Sequence, residues 1–197
     1  RCTDSRGVVS SLSLAELKKL DAGGWFDKKF KGEKIPTLKE VLNICRDKIA
    51  VNIEIKTEAV TDKASGGIEE KCLKIVERSG MESHIIFSSF DPRAIRHLKE
   101  IYQNAAVAVL FEKKYYDKKL PAKIVNLFDA DCFNCGHKEL KANWLENLRE
   151  NNISVNVYTV DDEKNQRRLL QAGVEGIFTN KPDVLKETAD NFFQHKK

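Results

Sequence analysis

The sequence has no apolar run close to the roughly 20 residues that a bilayer-spanning helix needs. Residues 1–30 have neither the basic start nor the apolar centre of a secretory signal. Charge of one sign is also missing: the net charge is only +4, and the lysine pairs Lys113-Lys114, Lys118-Lys119 and Lys196-Lys197 are scattered among acids. A basic stripe with interleaved aromatics is therefore absent, and the lysines read as a solvated surface, not as a nucleic-acid site. Cysteines are few and odd in number, five in all. In a chain large enough to fold without staples, that favours a reducing compartment, and the expected location is the cytoplasm. Cys132 and Cys135 form a C-x-x-C inside an apparent strand, where residues three apart face opposite sides, so the two thiols cannot chelate one metal. The glycine fingerprint of dinucleotide-binding sheets is absent too.

What remains is a soluble chain of 197 residues, 41% hydrophobic and 32% charged, enough to bury the core of one domain. Apolar, β-rich runs occur at 49–55, 84–90, 106–111, 130–135, 153–160 and 174–180. Helix-like segments lie between them. Ser13-x-x-Glu16 and Thr37-x-x-Glu40 read as capping boxes, and Asp91-Pro92 and Lys181-Pro182 place proline where a first helical turn tolerates it. Gly80 and Gly173 stand where helices stop. After a long first step, strand starts recur about every 20 to 24 residues, the length of one strand plus one crossover helix. Near-continuously apolar strands of this kind belong to parallel sheets covered by helices. The expected fold is an α/β, TIM-type (β/α) barrel. A complete barrel takes about 250 residues, and this chain offers six of eight βα units, with no core strand in its first 45 residues. The expectation is one barrel domain over 1–197 lacking its N-terminal units, with sheet edges that self-association could cover.

The run at 50–58 carries the sharpest question. Alternation places Asn52, Glu54 and Lys56 on one face and Val51, Ile53 and Ile55 on the other. In a barrel the apolar face lies under helices, so the polar set points inward and ends at the carboxyl-terminal mouth, where barrel enzymes keep their chemistry. Burying the two charges costs several kcal/mol per ion unless they are paired or bound to something charged. Spacing alone admits both a structural ion pair and a ligand site. Ser88, Ser89, Asp91, Asp161 and Asn180 also close strands, and the two aspartates read as helix caps. Tyr158 shares a face with Asn156, either lining a pocket or packed in the core.

In this order, residues 12–42, "NIEIK" (52–56), "SSFDP" (88–92), "VYTVDD" (157–162) and "GVEGIFTNKPD" (173–183) resemble the glycerophosphodiester phosphodiesterases. That resemblance implies a metal-dependent barrel hydrolysing small glycerophosphodiesters, such as glycerophosphocholine, to glycerol 3-phosphate and an alcohol. It implies Glu54 as a carboxylate ligand of Mg2+ or Ca2+, Lys56 as a phosphate contact, and Tyr158 at the pocket. Phe90 and Phe111 are candidates to line its opening, with core packing as the competing reading. The family's His-Arg-Gly, Glu-x-Asp and His-Asp segments do not precede Arg1, so the general acid and base histidines are not among these residues and the chain alone is expected not to turn over. His84, His97 and His195 are misplaced to substitute, and His137 reads as a surface residue near the mouth. Glu175 and Asn180, where relatives often carry aspartate, are departures that could alter capping or the charge of the mouth. The alternatives are a barrel that binds phosphoesters or a partner without catalysis, and a related phospholipase D or lyase.

Overall fold

The computed structural model describes residues 2–194. The strands are β1 (Val51–Glu54), β2 (Ile85–Ser89), β3 (Val107–Leu110), β4 (Cys132–Gly136), β5 (Ser154–Tyr158) and β6 (Gly176–Ile177). The α-helices are α1 (Leu14–Leu17), α2 (Leu38–Cys45), α3 (Ile68–Ser79), α4 (Pro92–Ile101), α5 (Lys113–Tyr116), α6 (Pro121–Asn126), α7 (Ala142–Glu150), α8 (Glu163–Gln171) and α9 (Pro182–Gln194).

Local signals account for the helix ends. Ser13 and Thr37 form complete capping boxes with Glu16 and Glu40. Asp91 accepts a hydrogen bond from the Arg93 N–H, and Pro92 occupies the first turn of α4. Gly80 ends α3 in the left-handed conformation at φ 66°, which a side chain would strain.

All five strand pairs are parallel, and the strands lie in the sheet in their order along the chain. That order decides between the two parallel architectures. A doubly wound sheet reverses its strand order and puts helices on both faces, whereas a sequential order with right-handed crossovers sends every helix to one side. The six strands make a curled half-barrel. Its outer face carries Ile53, Ile55, Phe87, Val107, Val109, Phe133, Val155 and Val157, which form one core cluster with Ile95, Leu98, Ile124, Leu148 and Leu169 from the helices. Each such side chain contributes about 1.5–3 kcal/mol by leaving water.

The strands are shorter than their apolar runs. The run at 174–180 contributes only Gly176 and Ile177 as strand residues, although the flanking Glu175 and Phe178 N–H groups also donate to the Val155 and Val157 carbonyls of β5. Gly176 is needed there: a Cβ would meet the Asn156 Oδ1 at 2.2 Å. The five cysteines are all free. Cys135 sits in the outer core and Cys132 on the inner face, and burial pushes both thiols up to about 12. Among the described residues no helix is long and apolar enough to cross a membrane.

Candidate functional site

Helices covering the outer face leave the inner face to the alternate residues. On β1 these are Asn52 and Glu54, and Lys56 follows at the carboxyl end. Ile53 and Ile55 are buried in the outer core, which fixes the direction of their neighbours. Glu54 Oε1 accepts a hydrogen bond from Lys56 Nζ at 2.7 Å. The Glu54 side chain is 31% exposed and that of Lys56 68%, so the pair is wet and its ammonium can be displaced at little cost.

Glu54 lies in register with Ser88 of β2, so the two side chains stand side by side on the inner face. The Ser88 hydroxyl is fully buried and has no hydrogen-bond partner among the described residues. A carboxylate beside an orphaned hydroxyl oxygen suits a hard cation, which prefers oxygen ligands. The described residues contain no group of three or more histidine, cysteine or acidic side chains that could hold a metal. Glu54 and Ser88 could hold at most part of a coordination shell, and the remaining oxygens would be water or groups outside the described residues.

Farther round the mouth, the Phe90 and Tyr158 rings meet edge to face with centroids 6.0 Å apart, and Phe178 approaches Tyr158 at 6.3 Å. The Tyr158 hydroxyl donates to the Phe111 carbonyl at 3.3 Å, and burial raises its pKa, so it stays neutral as a donor. The ring, not the hydroxyl, is what Tyr158 offers to a ligand. Phe111 points the other way. Its side chain is buried on the outer face against Phe133 and Trp144, at 5.9 and 4.9 Å, because an odd position on β3 faces the helices. Its part at the mouth is the backbone carbonyl that holds Tyr158.

Other strand ends are occupied structurally. Asp91 caps α4 as the sequence suggests, and the Arg93 guanidinium holds its carboxyl below the usual range. Asp161 is not a cap. Its carboxylate accepts from the Thr179 hydroxyl and from the Asn180 N–H and side-chain amide, which lowers its pKa and ties the exit of β6 to that of β5, while Asp162 caps α8. Glu175 lies at the opposite end of the sheet, where it accepts from the Val155 N–H at 2.9 Å, so it adds no charge to the mouth. His97 is buried against Glu69 between α3 and α4, at 3.3 Å. His84 is exposed at the amino-terminal end of β2, and His195 lies outside the described residues. His137 follows β4 at the mouth, half-buried, and its N–H donates to the Tyr158 carbonyl. Sequence reasoning missed Ser88 as a neighbour of Glu54; its even spacing from Ile86 and Phe90 carried the signal, but the register of β1 on β2 did not.

Comparison with known proteins bears on this arrangement. The model of the glycerophosphoryl diester phosphodiesterase family matches residues 1–184. The chain belongs to this family. A glycerophosphodiester phosphodiesterase of Caldanaerobacter subterraneus subsp. tengcongensis is 33% identical over 186 residues, covering 94% of this chain and 74% of that protein. One from Bacillus subtilis is 27% identical, over 98% and 69%. Among solved structures, an Oleispira antarctica phosphodiesterase in complex with the product sn-glycerol-3-phosphate superposes with a TM-score of 0.81 at 23% identity, covering 96% of this chain and 75% of that one. At that identity the superposition speaks for the fold. The family is one of phosphoric diester hydrolases.

Proposed function

We propose that residues 1–197 form one domain of a metal-assisted glycerophosphodiester hydrolase, whose reaction yields glycerol 3-phosphate and an alcohol. The observation that carries this reading is the wet Glu54–Lys56 pair at the carboxyl end of β1, beside an orphaned Ser88 hydroxyl. The glycerophosphodiester phosphodiesterases among its relatives, and a structural neighbour holding sn-glycerol-3-phosphate, support it.

In this reading Lys56 leaves Glu54 and binds a non-bridging phosphoryl oxygen as a point charge. Glu54, released from the ammonium, supplies one oxygen to Mg2+ or Ca2+, with the Ser88 hydroxyl as a neutral neighbour. Such a cation acts as a Lewis acid toward the phosphoryl group. Tyr158 and Phe90 present ring edges that can shelter the carbon skeleton of the ester, and the Tyr158 hydroxyl fixes the ring by its bond to Phe111. In this reading proton transfer belongs to the histidine pair that the family resemblance implies, which is not among residues 1–197, so these residues by themselves are expected to bind the phosphoester without hydrolysing it. The free cysteines support a reducing compartment. Among the described residues β1 and β6 each pair on one side only, and self-association through these edges would satisfy them.

Isothermal titration with glycerol 3-phosphate and Mg2+ or Ca2+ tests the site. Binding should depend on the cation, weaken at least tenfold in Glu54→Gln, and weaken roughly ten- to 150-fold in Lys56→Met, about 1.5–3 kcal/mol for a charge-assisted contact. Unchanged affinity in both variants overturns the reading. Product analysis on glycerophosphocholine with the polypeptide alone should show no glycerol 3-phosphate.

A further inference from the structure

Aromatic side chains in a folded monomer are normally consumed by its core, and a contiguous exposed apolar patch marks a contact surface. Trp25, Phe26 and Phe30 depart from that rule: they are 54%, 70% and 38% exposed. They touch one another instead of the core, with Trp25 and Phe26 at 5.8 Å and 72°, and Phe26 and Phe30 at 5.8 Å. The loop that carries them is cross-linked by hydrogen bonds. The Asp21 carboxylate accepts from the Gly23, Gly24 and Gly32 N–H groups, closing both ends of the loop. Gly23 sits so close to the Phe30 carbonyl that a Cβ would stand 2.0 Å from it. The indole N–H is satisfied inside the loop by the Ala22 carbonyl, at 2.9 Å, so the ring presents its apolar body outward with no polar atom left over.

Lys28, Lys29 and Lys31 share the loop and are exposed. Lys29 lies over the Phe30 ring at 4.9 Å and only 4.0 Å from Asp27, and Lys28 and Lys31 have no carboxylate partner among the described residues. The loop leads into α2, which precedes β1 in the chain and packs against α3.

We propose that residues 23–31 dock the protein onto an anionic phospholipid surface, the aromatic rings entering the interfacial layer and the lysines pairing with headgroups. Tryptophan and phenylalanine on an exposed apolar face flanked by lysines are the composition that partitions into a membrane interface. Two other occupants fit less well. Trp25 and Phe26 lean edge-on and Phe26 and Phe30 are tilted by 40°, so the three rings form no parallel platform along which successive nucleobases could stack. A second copy would bring its own lysines against these. The proposal stands on this surface alone and does not depend on the hydrolytic reading.

The test is vesicle flotation of the whole protein on phosphatidylcholine liposomes with and without about one-third phosphatidylserine. Binding should require phosphatidylserine and fall with salt. In a Trp144→Phe background Trp25 is the sole tryptophan, and its emission should shift to the blue on binding. Neutralising Lys28, Lys29 and Lys31 to glutamine should weaken binding roughly fivefold per lysine. Trp25→Ala with Phe26→Ala should abolish it while leaving the thermal melt unchanged, since both side chains are exposed. No binding to the charged vesicles overturns the proposal, as does binding that survives loss of both rings. It is equally overturned if single-stranded oligonucleotides displace the vesicles, or if sedimentation shows a dimer that the aromatic substitutions dissolve.

Discussion

The inner face of the half-barrel shows two treatments of polar side chains at equivalent alternating positions. On β4 and β5 they are consumed. Asn134 is 1% exposed, and its Oδ1 accepts from the Asn156 amide at 3.0 Å and from the Cys132 thiol at 3.4 Å, while the same amide also reaches that thiol at 3.1 Å. On β1 they are left unfinished: Asn52 is exposed, and among the described residues the Glu54 and Lys56 side chains bond only to each other across a wet gap. The two stretches look alike as sequence, a polar residue at every second position of an apolar run. The difference is whether neighbouring strands supply partners, and an inward polar residue points to a ligand only where they do not.

Removing an amide from the finished network should give the largest loss of stability. Asn134→Leu takes away the oxygen shared by Asn156 and Cys132, and is expected to cost about 1–3 kcal/mol. In urea the midpoint should fall while the slope holds. A midpoint unchanged by this substitution would mean that the network contributes nothing and the comparison fails.

Asp91, buried at the exit of β2, should give a smaller effect that depends on pH. Hydrogen bonding to the Arg93 guanidinium holds its carboxyl below the ordinary range. The unfolded chain therefore takes up that proton more readily than the folded one. The stabilisation is present above the ordinary carboxylate range, near pH 4, and is lost as pH falls through the lowered value. Asp91→Asn, which keeps the cap, should cost about 1 kcal/mol at neutral pH and flatten the acid limb of stability. Equal pH dependence in both proteins would show that Asp91 is ordinary.

Much of this was legible before any coordinates. Capping boxes, prolines and terminal glycines set the helix starts and stops because they act within a few residues, and strict alternation in β1 separated Ile53 and Ile55 from Glu54 and Lys56. What depended on register stayed hidden. Ser88 beside Glu54, Asn134 against Asn156, and Glu175 at the far end of β6 are set by how strands slide on one another, which no single strand encodes. Asp161 was misread for a local reason: two adjacent aspartates compete for one cap, and the one nearer α8 took it. Phe111 was open to both readings until the parity of β3 was known.

The smallest stability effect is the most decisive for the site. If Glu54 and Lys56 are held for a ligand, their mutual contact should matter little to the fold of the unliganded protein. A double-mutant cycle of Glu54→Gln and Lys56→Met, read by urea denaturation, should give a coupling within about 1 kcal/mol, as expected for a half-exposed pair. Each single variant should melt close to the parent. Breaking a structural buried pair costs about 3–5 kcal/mol, because one charge is left uncompensated away from water. A coupling of that size would put β1 with β4 and β5, as polar chemistry already consumed by the fold, and Glu54 and Lys56 would no longer be free to meet a ligand at the mouth.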